Sequence, residues 1–522
     1  MSTNALRDIP WIVSNDGLLT PREALLRAHQ ISGLDLSRPA FQVSSQLRIL
    51  VAVLAITLYK SGGKFDLENG LSAKSIDEAI NEIGSAANID DPDQPFLQQP
   101  ALKPKSPADK TRIIEPGAAF PVKKLYPSTP PDQANEFWQR ANPDDLALSA
   151  AEAVMALAVF HNFAPAGNNA YDGQKCVMGA PGLRFPGKDN SATEVLWHGS
   201  SLLEALALNT PQSFIETYSL PAWADRTGTR SCTTTEEPPL WRATWSSNAP
   251  VCIWDGTTLV GARSGGIPEA WYRPSMGKAK DIRKKWWDDR NTEDPFYFYI
   301  PDDKGVRKAQ RLDIGKDPTA LAVDWLAKGK FDDLRKYRSR SLRSPRPDQN
   351  LLFLRHQIGG TASSPSIRAS LTLFGDHTQW SPNETSAREV ILFAEFLERL
   401  HWTVTSPFRR YSVGDKQKLA KTPPTTPFAF DQLEHRRPDA STAFWRYVSE
   451  VFEESLKEID QHGYVLDTTL DRVGNAAMRA FNETLEPHLA QIEQHAAYVR
   501  NHVSRFVHYA VQGQKTGEDQ AT

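Results

Sequence analysis

Cysteine is scarce in this chain. Three occur in 522 residues, Cys176, Cys232 and Cys252, and none forms a CxxC pair. That excludes a disulfide framework and a thiolate zinc site, and it fits a reducing, cytoplasmic compartment. A long apolar run is missing as well. The longest, Ile49 to Tyr59, sits between Arg48 and Lys60 and falls short of the roughly 20 residues of a membrane span, so a buried helix is expected. The opening MSTNALRDIPW has no basic stretch followed by an apolar one, and so no secretion signal is read there. Neither sign of charge is in excess: 60 Lys and Arg face 63 Asp and Glu, a net charge of -3. A free-standing DNA binder is usually more basic, so any nucleic-acid contact has to come from local patches or through a partner that carries the charge. The signatures GxxxxGK(S/T), GxGxxG after a strand, HExxH and GxSxG are all absent. A catalytic triad is set by space rather than by order, so a hydrolase or metal enzyme stays open as the alternative, drawing on His161, His198 and Asp172. His495, His502 and His508 near the C-terminus have no carboxylate at ligand spacing and read as exposed surface histidines.

The length alone implies at least two domains, because a single core stops growing near roughly 250–300 residues. Helices are expected over 44–60, over 73–84 with Ile76, Ala79, Ile80 and Ile83 on one side, and over 200–208. Ser149 and Glu152 are spaced as a capping box at the head of LSAAEAVMALAV, a helix apolar on nearly all sides. From Asp90 to Pro131 the prolines of DPDQPFLQQP and PSTPP forbid helix or central strand and predict a long loop. VCIWDGTTLVG predicts a hairpin turning at Asp255-Gly256, and PFYFYI at 295–300 a buried strand. Beyond about residue 380 the period becomes helical in four segments. The last, through Leu489, Ile492, Ala496, Val499, Val503, Phe506 and Ala510, has the 3,4 spacing of a heptad seam. The fold class expected is α+β: a mixed α/β domain over 1–380 and a four-helix bundle over 381–522.

Three basic runs interrupt this balance. RKYRSRSLRSPR holds Arg335, Lys336, Arg338, Arg340, Arg343 and Arg346; KAKDIRKKWW spans 278–287; Arg409 and Arg410 open a third with Lys416, Lys418 and Lys421. Each is either a solvated face or a phosphate contact, and three on a slightly acidic chain favour nucleic acid. A different feature follows the apolar helix, where FHNFAPAGNNAYDGQK has almost no side-chain bulk. Two readings stand: a helix stop with Gly or Asn in the left-handed position, or a tight loop whose backbone approaches a groove or a phosphate.

The order RDIPWIV, then DPDQPFLQ at 91–98, then LSAAEAVMALAVFHNFAPAGN at 148–168 resembles the CasA family, the large subunit of the type I-E CRISPR Cascade complex. The Trp-rich segment 241–254 and the late bundle fit the same family. The resemblance implies a family-specific N-terminal fold, a C-terminal four-helix bundle, no catalytic activity and no cofactor. It implies as partners the other Cascade subunits, the guide RNA, duplex DNA bearing a PAM, and a helicase–nuclease recruited after target binding. Carried over by residue, the minor-groove loop falls on Ala166, Gly167, Asn168, Asn169 and Ala170, with one glycine where the family often has several. The lysine finger falls on Lys278 or its neighbour Lys280. The glutamine wedge has no glutamine here; Ser364, Pro365 or Ser366, after Gly359-Gly360, holds its place. The guide-RNA-handle loop falls within QANEFW, on Asn135 and Phe137.

Overall fold

The structure is a computed structural model. It describes residues 3–100, 122–125, 147–163, 192–233, 236–246, 249–263, 267, 271–277, 280–301, 304–309, 317–327, 336, 338, 340–346, 349–361, 364–374, 386–419 and 427–516. Two compact units divide the chain: Met1–Ile314 with Tyr337–Pro345 and Leu351–Phe374, and Gly315–Lys336 with Arg346–Asn350 and Gly375–Thr522.

The first unit starts with a small hairpin, β1 (Ile12–Ser14) and β2 (Gly17–Leu19), followed by α1 (Pro21–Leu26) behind a Thr20–Glu23 capping box. Its centre is α2 (Ala40–Lys60), buried on nearly every side from Ala40 to Leu58. The helix starts at Ala40, earlier than the 44 expected, and Arg48, at the border of the apolar run, lies well inside it. By length and composition α2 is apolar enough to cross a membrane, but here it is the core helix of a folded unit. Against it pack α3 (Ala73–Ile83), through Ile76, Ala79, Ile80 and Ile83 as its period predicts, and α4 (Ala150–Phe163). The capping box of α4 is formed: Ser149 N donates to Glu152 Oε2 at 3.0 Å, and Glu152 N to Ser149 Oγ at 3.5 Å. Each Leu, Ile or Val buried in this way stabilises the fold by roughly 1.5–3 kcal/mol.

The motifs that begin the family pattern are structural. Trp11 is buried and donates Nε1–H to Ala5 O at 2.9 Å. In PFLQ, Phe96 packs edge-on against Trp223, and Gln98 donates to Ile89 O at 3.1 Å while accepting from Trp254 Nε1 at 3.0 Å. The buried Arg226 donates to Pro95 O at 2.6 Å and to Gln98 O, fastening this turn from behind. Within the expected long loop, Val122 and Leu125 form a short turn and are buried in the same core.

Further along come β3 (Ala192–Trp197), α5 (Leu202–Asn209), α6 (Ser213–Glu216) and α7 (Pro239–Thr244). The predicted hairpin is present as β4 (Val251–Asp255) and β5 (Thr258–Arg263), and its turn uses Gly256 at φ 59°. Then follow α8 (Lys280–Thr292), β6 (Tyr299–Pro301) and β7 (Arg307–Ala309). Of the strand expected over 295–300 only the end pairs in a ladder. Phe296 is buried but turns, its N–H donating to Asp294 Oδ1 at 3.0 Å, and Tyr297 makes a single bridge to Glu194. The last pair, β8 (Leu351–Thr361) and β9 (Ser364–Phe374), completes a three-stranded antiparallel sheet in the order β3-β8-β9.

The second unit holds α9 (Pro318–Ala327), α10 (Ala387–Thr405), α11 (Val413–Leu419), α12 (Arg437–His462), α13 (Asp467–Leu485) and α14 (Leu489–Thr516). The four long helices are those the period predicts, and α9 packs on α10 beside them. On α14 the buried stripe runs Ala496, Val499, Val503, Val507, Val511, whereas Phe506 is 51% exposed. The heptad spacing thus holds only from Ala496 to Val503: before it Leu489 is exposed and Ile492 sits at a kink, and after it the stripe slips because a straight helix of 3.6 residues per turn drifts away from a 3.5 repeat. Two of the histidines on this helix are not free surface groups: His495 Nε2 bonds Ala429 O at 2.8 Å, and the His502 ring stacks on Phe428. Both tie down the segment before α12.

Candidate nucleic-acid interface

In the middle of the first unit lies a cluster of buried charge. Arg48 Nη1 donates to Asp294 Oδ2 at 2.9 Å and Oδ1 at 3.1 Å, while Arg48 Nε and Nη2 donate to Glu194 Oε1. Glu194 also accepts from Ser44 Oγ at 2.9 Å and lies 3.3 Å from His356 Nε2. The guanidinium sits 4.2 Å from the centroid of the Phe296 ring. Burial opposes the charge on Glu194, but Arg48 and the bonds from His356 and Ser44 outweigh it and hold the carboxyl below its ordinary range. Burial likewise opposes the charge on Arg48, and Asp294 with Glu194 overturns that to raise its pKa. Such a cluster persists only when every charge is paired, since a lone buried charge costs several kcal/mol.

The cluster joins the bases of several elements. Phe163, the last residue of α4, packs its ring 4.9 Å from His356. Ala192, the first residue of β3, pairs with the same His356. The two ends flanking residues 164–191 therefore meet at one histidine, and Glu194, two residues further along, reaches Arg48. Asp294 closes the end of α8, where Arg290 is buried and donates to Arg242 O at 3.0 Å and Trp245 O at 2.6 Å. His356 also lies on β8, and the tip of the β8–β9 hairpin is five residues beyond it, roughly 17 Å at about 3.4 Å per residue. The start of α8 lies a similar distance from Asp294, roughly 20 Å at about 1.5 Å per residue.

Ala166, Gly167, Asn168, Asn169 and Ala170 lie outside the described residues, as do Asn135, Phe137, Lys278, Arg335 and Asp172. Lys280 is the first residue of α8. The turn into it needs Gly277, which has φ 67° and where a Cβ would come within 2.5 Å of Ile282 Cγ2. Ser364, Pro365 and Ser366 open β9 at the hairpin tip, opposite Thr361, Gly360 and Gly359. A proline is tolerated there because β9 is the sheet's edge strand.

The basic runs divide. Lys336, Arg340 and Arg346 are exposed. Arg338 is not a surface contact: it donates to Val195 O at 2.6 Å, Pro295 O at 2.9 Å and Asn209 Oδ1 at 3.2 Å, and burial pushes its pKa down to about 10. Arg343 pairs with Glu204 at 3.1 Å, and Arg409 pairs with Asp415 at 2.6 Å. Arg410 is exposed but is held by Glu434. These arginines face their own carboxylates and carbonyls, and a run of positive letters cannot reveal partners that come from distant segments. Of the enzyme alternative, Asp172 lies outside the described residues, and the two histidines have separate surroundings. His161 Nε2 bonds the carbonyl of Thr244 at 3.0 Å, and His198 lines a small pocket with Trp197 and Asn209. Arg48 was missed. Its signal is a single cation inside an otherwise apolar helix, which demands a buried anion.

Over residues 6–249 the chain matches the family described as CRISPR-associated protein Cse1. That match spans somewhat less than half of the chain. No curated protein matches it in sequence. Its fold is similar to CasA of Thermus thermophilus, at TM-score 0.59 and 16% identity, with 98% of this chain and 100% of that one covered. It is similar to Cse1 of Acidimicrobium ferrooxidans, at TM-score 0.62 and 16% identity over 98% and 99%. It is also similar to a chain of a CRISPR RNA-guided surveillance complex, at TM-score 0.63 and 16% identity over 97% and 99%. At these identities the likeness establishes the fold. The family match takes in RDIPWIV, PFLQ, α4 and residues 166–170, and it stops before Lys278 and the β8–β9 hairpin.

Proposed function

We infer that this chain is the large, non-catalytic subunit of a type I-E Cascade complex, bound to the other subunits and the guide RNA. There it reads the PAM in duplex DNA, begins strand separation and helps to recruit the helicase–nuclease. The observation that carries the reading is the likeness, along almost the whole chain, to a chain of an RNA-guided surveillance complex, joined to the family match over 6–249. In such a complex base pairing reads the target and the protein reads only the short flanking duplex. Ala166 to Ala170 is the segment that approaches the minor groove, where small groups and amides suffice to sense a narrow, degenerate edge. Lys278 or Lys280 probes the same groove, Ser364 to Ser366 wedges the first base pairs, and Asn135 with Phe137 meets the RNA handle. The Arg48 cluster supports this reading, because the segments flanking 164–191, the end of α8 and the β8–β9 hairpin share one rigid base.

The test is target binding by the reconstituted complex with Asn168→Trp and Asn169→Trp together. The expected result is loss of PAM-dependent binding, with assembly and melting temperature kept. Normal target binding after that change would overturn the loop assignment.

A further inference from the structure

The second unit carries a cleft of about 850 Å³ that the PAM-reading function does not use. Four helices wall it, with α12 contributing Ser441 and Trp445. Along α10, Glu395, Glu398 and Trp402 follow at i, i+3 and i+7 and so share a face. From α14 come Phe506 and Tyr509, and α9 adds Asp324. The aromatic rings are open to solvent: Trp402 is 61% exposed, Phe506 51% and Tyr509 60%. Large apolar groups gathered on one surface in this way mark an interaction site rather than chance exposure.

The charge decides what can sit there. Glu395 and Glu398 make no ion pair among the described residues, whereas Asp324 is buried and already engages other groups of the chain. Arg399, the one arginine in the lining, already engages other groups of the chain. Phosphates are repelled by such a surface, so the rings are not a stacking platform for single-stranded nucleic acid, which needs a positive groove beside them. A cation is attracted twice, by the carboxylates and by the ring faces. The chain itself displays that chemistry at the edge of the cleft, where Arg437 lies 5.4 Å from the centroid of Trp402.

We propose that this cleft is a docking site for a protein partner, and that it receives an arginine- or lysine-bearing segment of that partner. The aliphatic stem of each cation lies on Trp402, Phe506 and Tyr509 while its head pairs with Glu395 and Glu398. The inference stands on the second unit alone and does not depend on how the PAM is read.

The test titrates the full-length protein with three probes: a peptide alternating Arg and Leu, the same peptide with Glu for Arg, and a single-stranded oligothymidylate. Tryptophan fluorescence reports binding, and the series is repeated with Trp402→Ala and with Glu395→Gln/Glu398→Gln. The basic peptide should bind, weaken at least tenfold in either variant, and weaken further with added salt. The acidic peptide and the oligonucleotide should not bind at the cleft. Both variants alter exposed or half-buried groups, so their melting temperatures should match the parent. Equal affinity of parent and variants for the basic peptide would overturn the proposal. So would oligonucleotide binding that disappears with Trp402→Ala, which would make the cleft a base-stacking surface.

Discussion

The two long core helices of the two units solve the burial problem differently. Helix α2 buries an arginine in an otherwise apolar segment and answers it with Glu194 and Asp294, which lie 146 and 246 residues away. Helix α14 buries a stripe of Ala496, Val499, Val503, Val507 and Val511 and keeps its charged groups outside. A charge cluster has few arrangements that satisfy every partner, whereas an apolar stripe tolerates repacking. The first unit is thereby held in one geometry at the base of its loops, as the proposed PAM reading requires. The second carries the exposed cleft proposed above as a docking site.

The largest effect is expected from breaking this contrast at its centre. Arg48→Met should destabilise the first unit by about 3–5 kcal/mol, because Glu194 and Asp294 are left buried without a cation. Phe444→Ala, in the core of α12, should cost a similar amount, about 3–5 kcal/mol, through a cavity instead. Hydrogen exchange distinguishes the two. The arginine variant should lose protection in β3 and α2, and the phenylalanine variant in α10, α12 and α13. Loss of protection in both units by both variants would show that the division fails.

A smaller effect follows from acid. Glu194 has a folded pKa below its ordinary value of 4.5, so its contribution is complete above that value and is lost as pH falls through the folded pKa. Calorimetry should show the stability of the first unit declining once the pH drops below about 4.5. A transition in that unit insensitive to pH between about 5 and 3 would contradict the charged cluster.

The same contrast explains what the sequence disclosed. Periodicity is local, so α3, α4, the long bundle helices and the Asp255-Gly256 hairpin could be read directly. The Ser149–Glu152 box, a contact over three residues, was equally legible. The β8–β9 hairpin was not, since Leu351 to Leu354 run apolar without alternation and Arg355-His356 then interrupt them. Arg48 passed for the border of an apolar run because its partners are remote in sequence. Arg338 looked like a phosphate contact for the same reason, its partners being carbonyls of Val195 and Pro295. The packing of α9 on α10 left no local signature at all. Of the candidate site, the tips named by the family resemblance, Ala166 to Ala170 and Lys278 among them, lie outside the described residues, and the base beside their flanking segments emerged only from the fold.

That base can be tested without unfolding it. His356→Phe keeps an aromatic ring against Phe163 but removes the hydrogen bond to Glu194. In the reconstituted complex the account predicts that preference for a PAM-bearing duplex over one with an altered PAM falls about tenfold, the scale of one hydrogen bond to a charged group. Assembly and affinity for guide-complementary single-stranded DNA should not change. Unaltered PAM preference in a folded, assembled His356→Phe complex would contradict the claim that this buried cluster holds the reading elements in place.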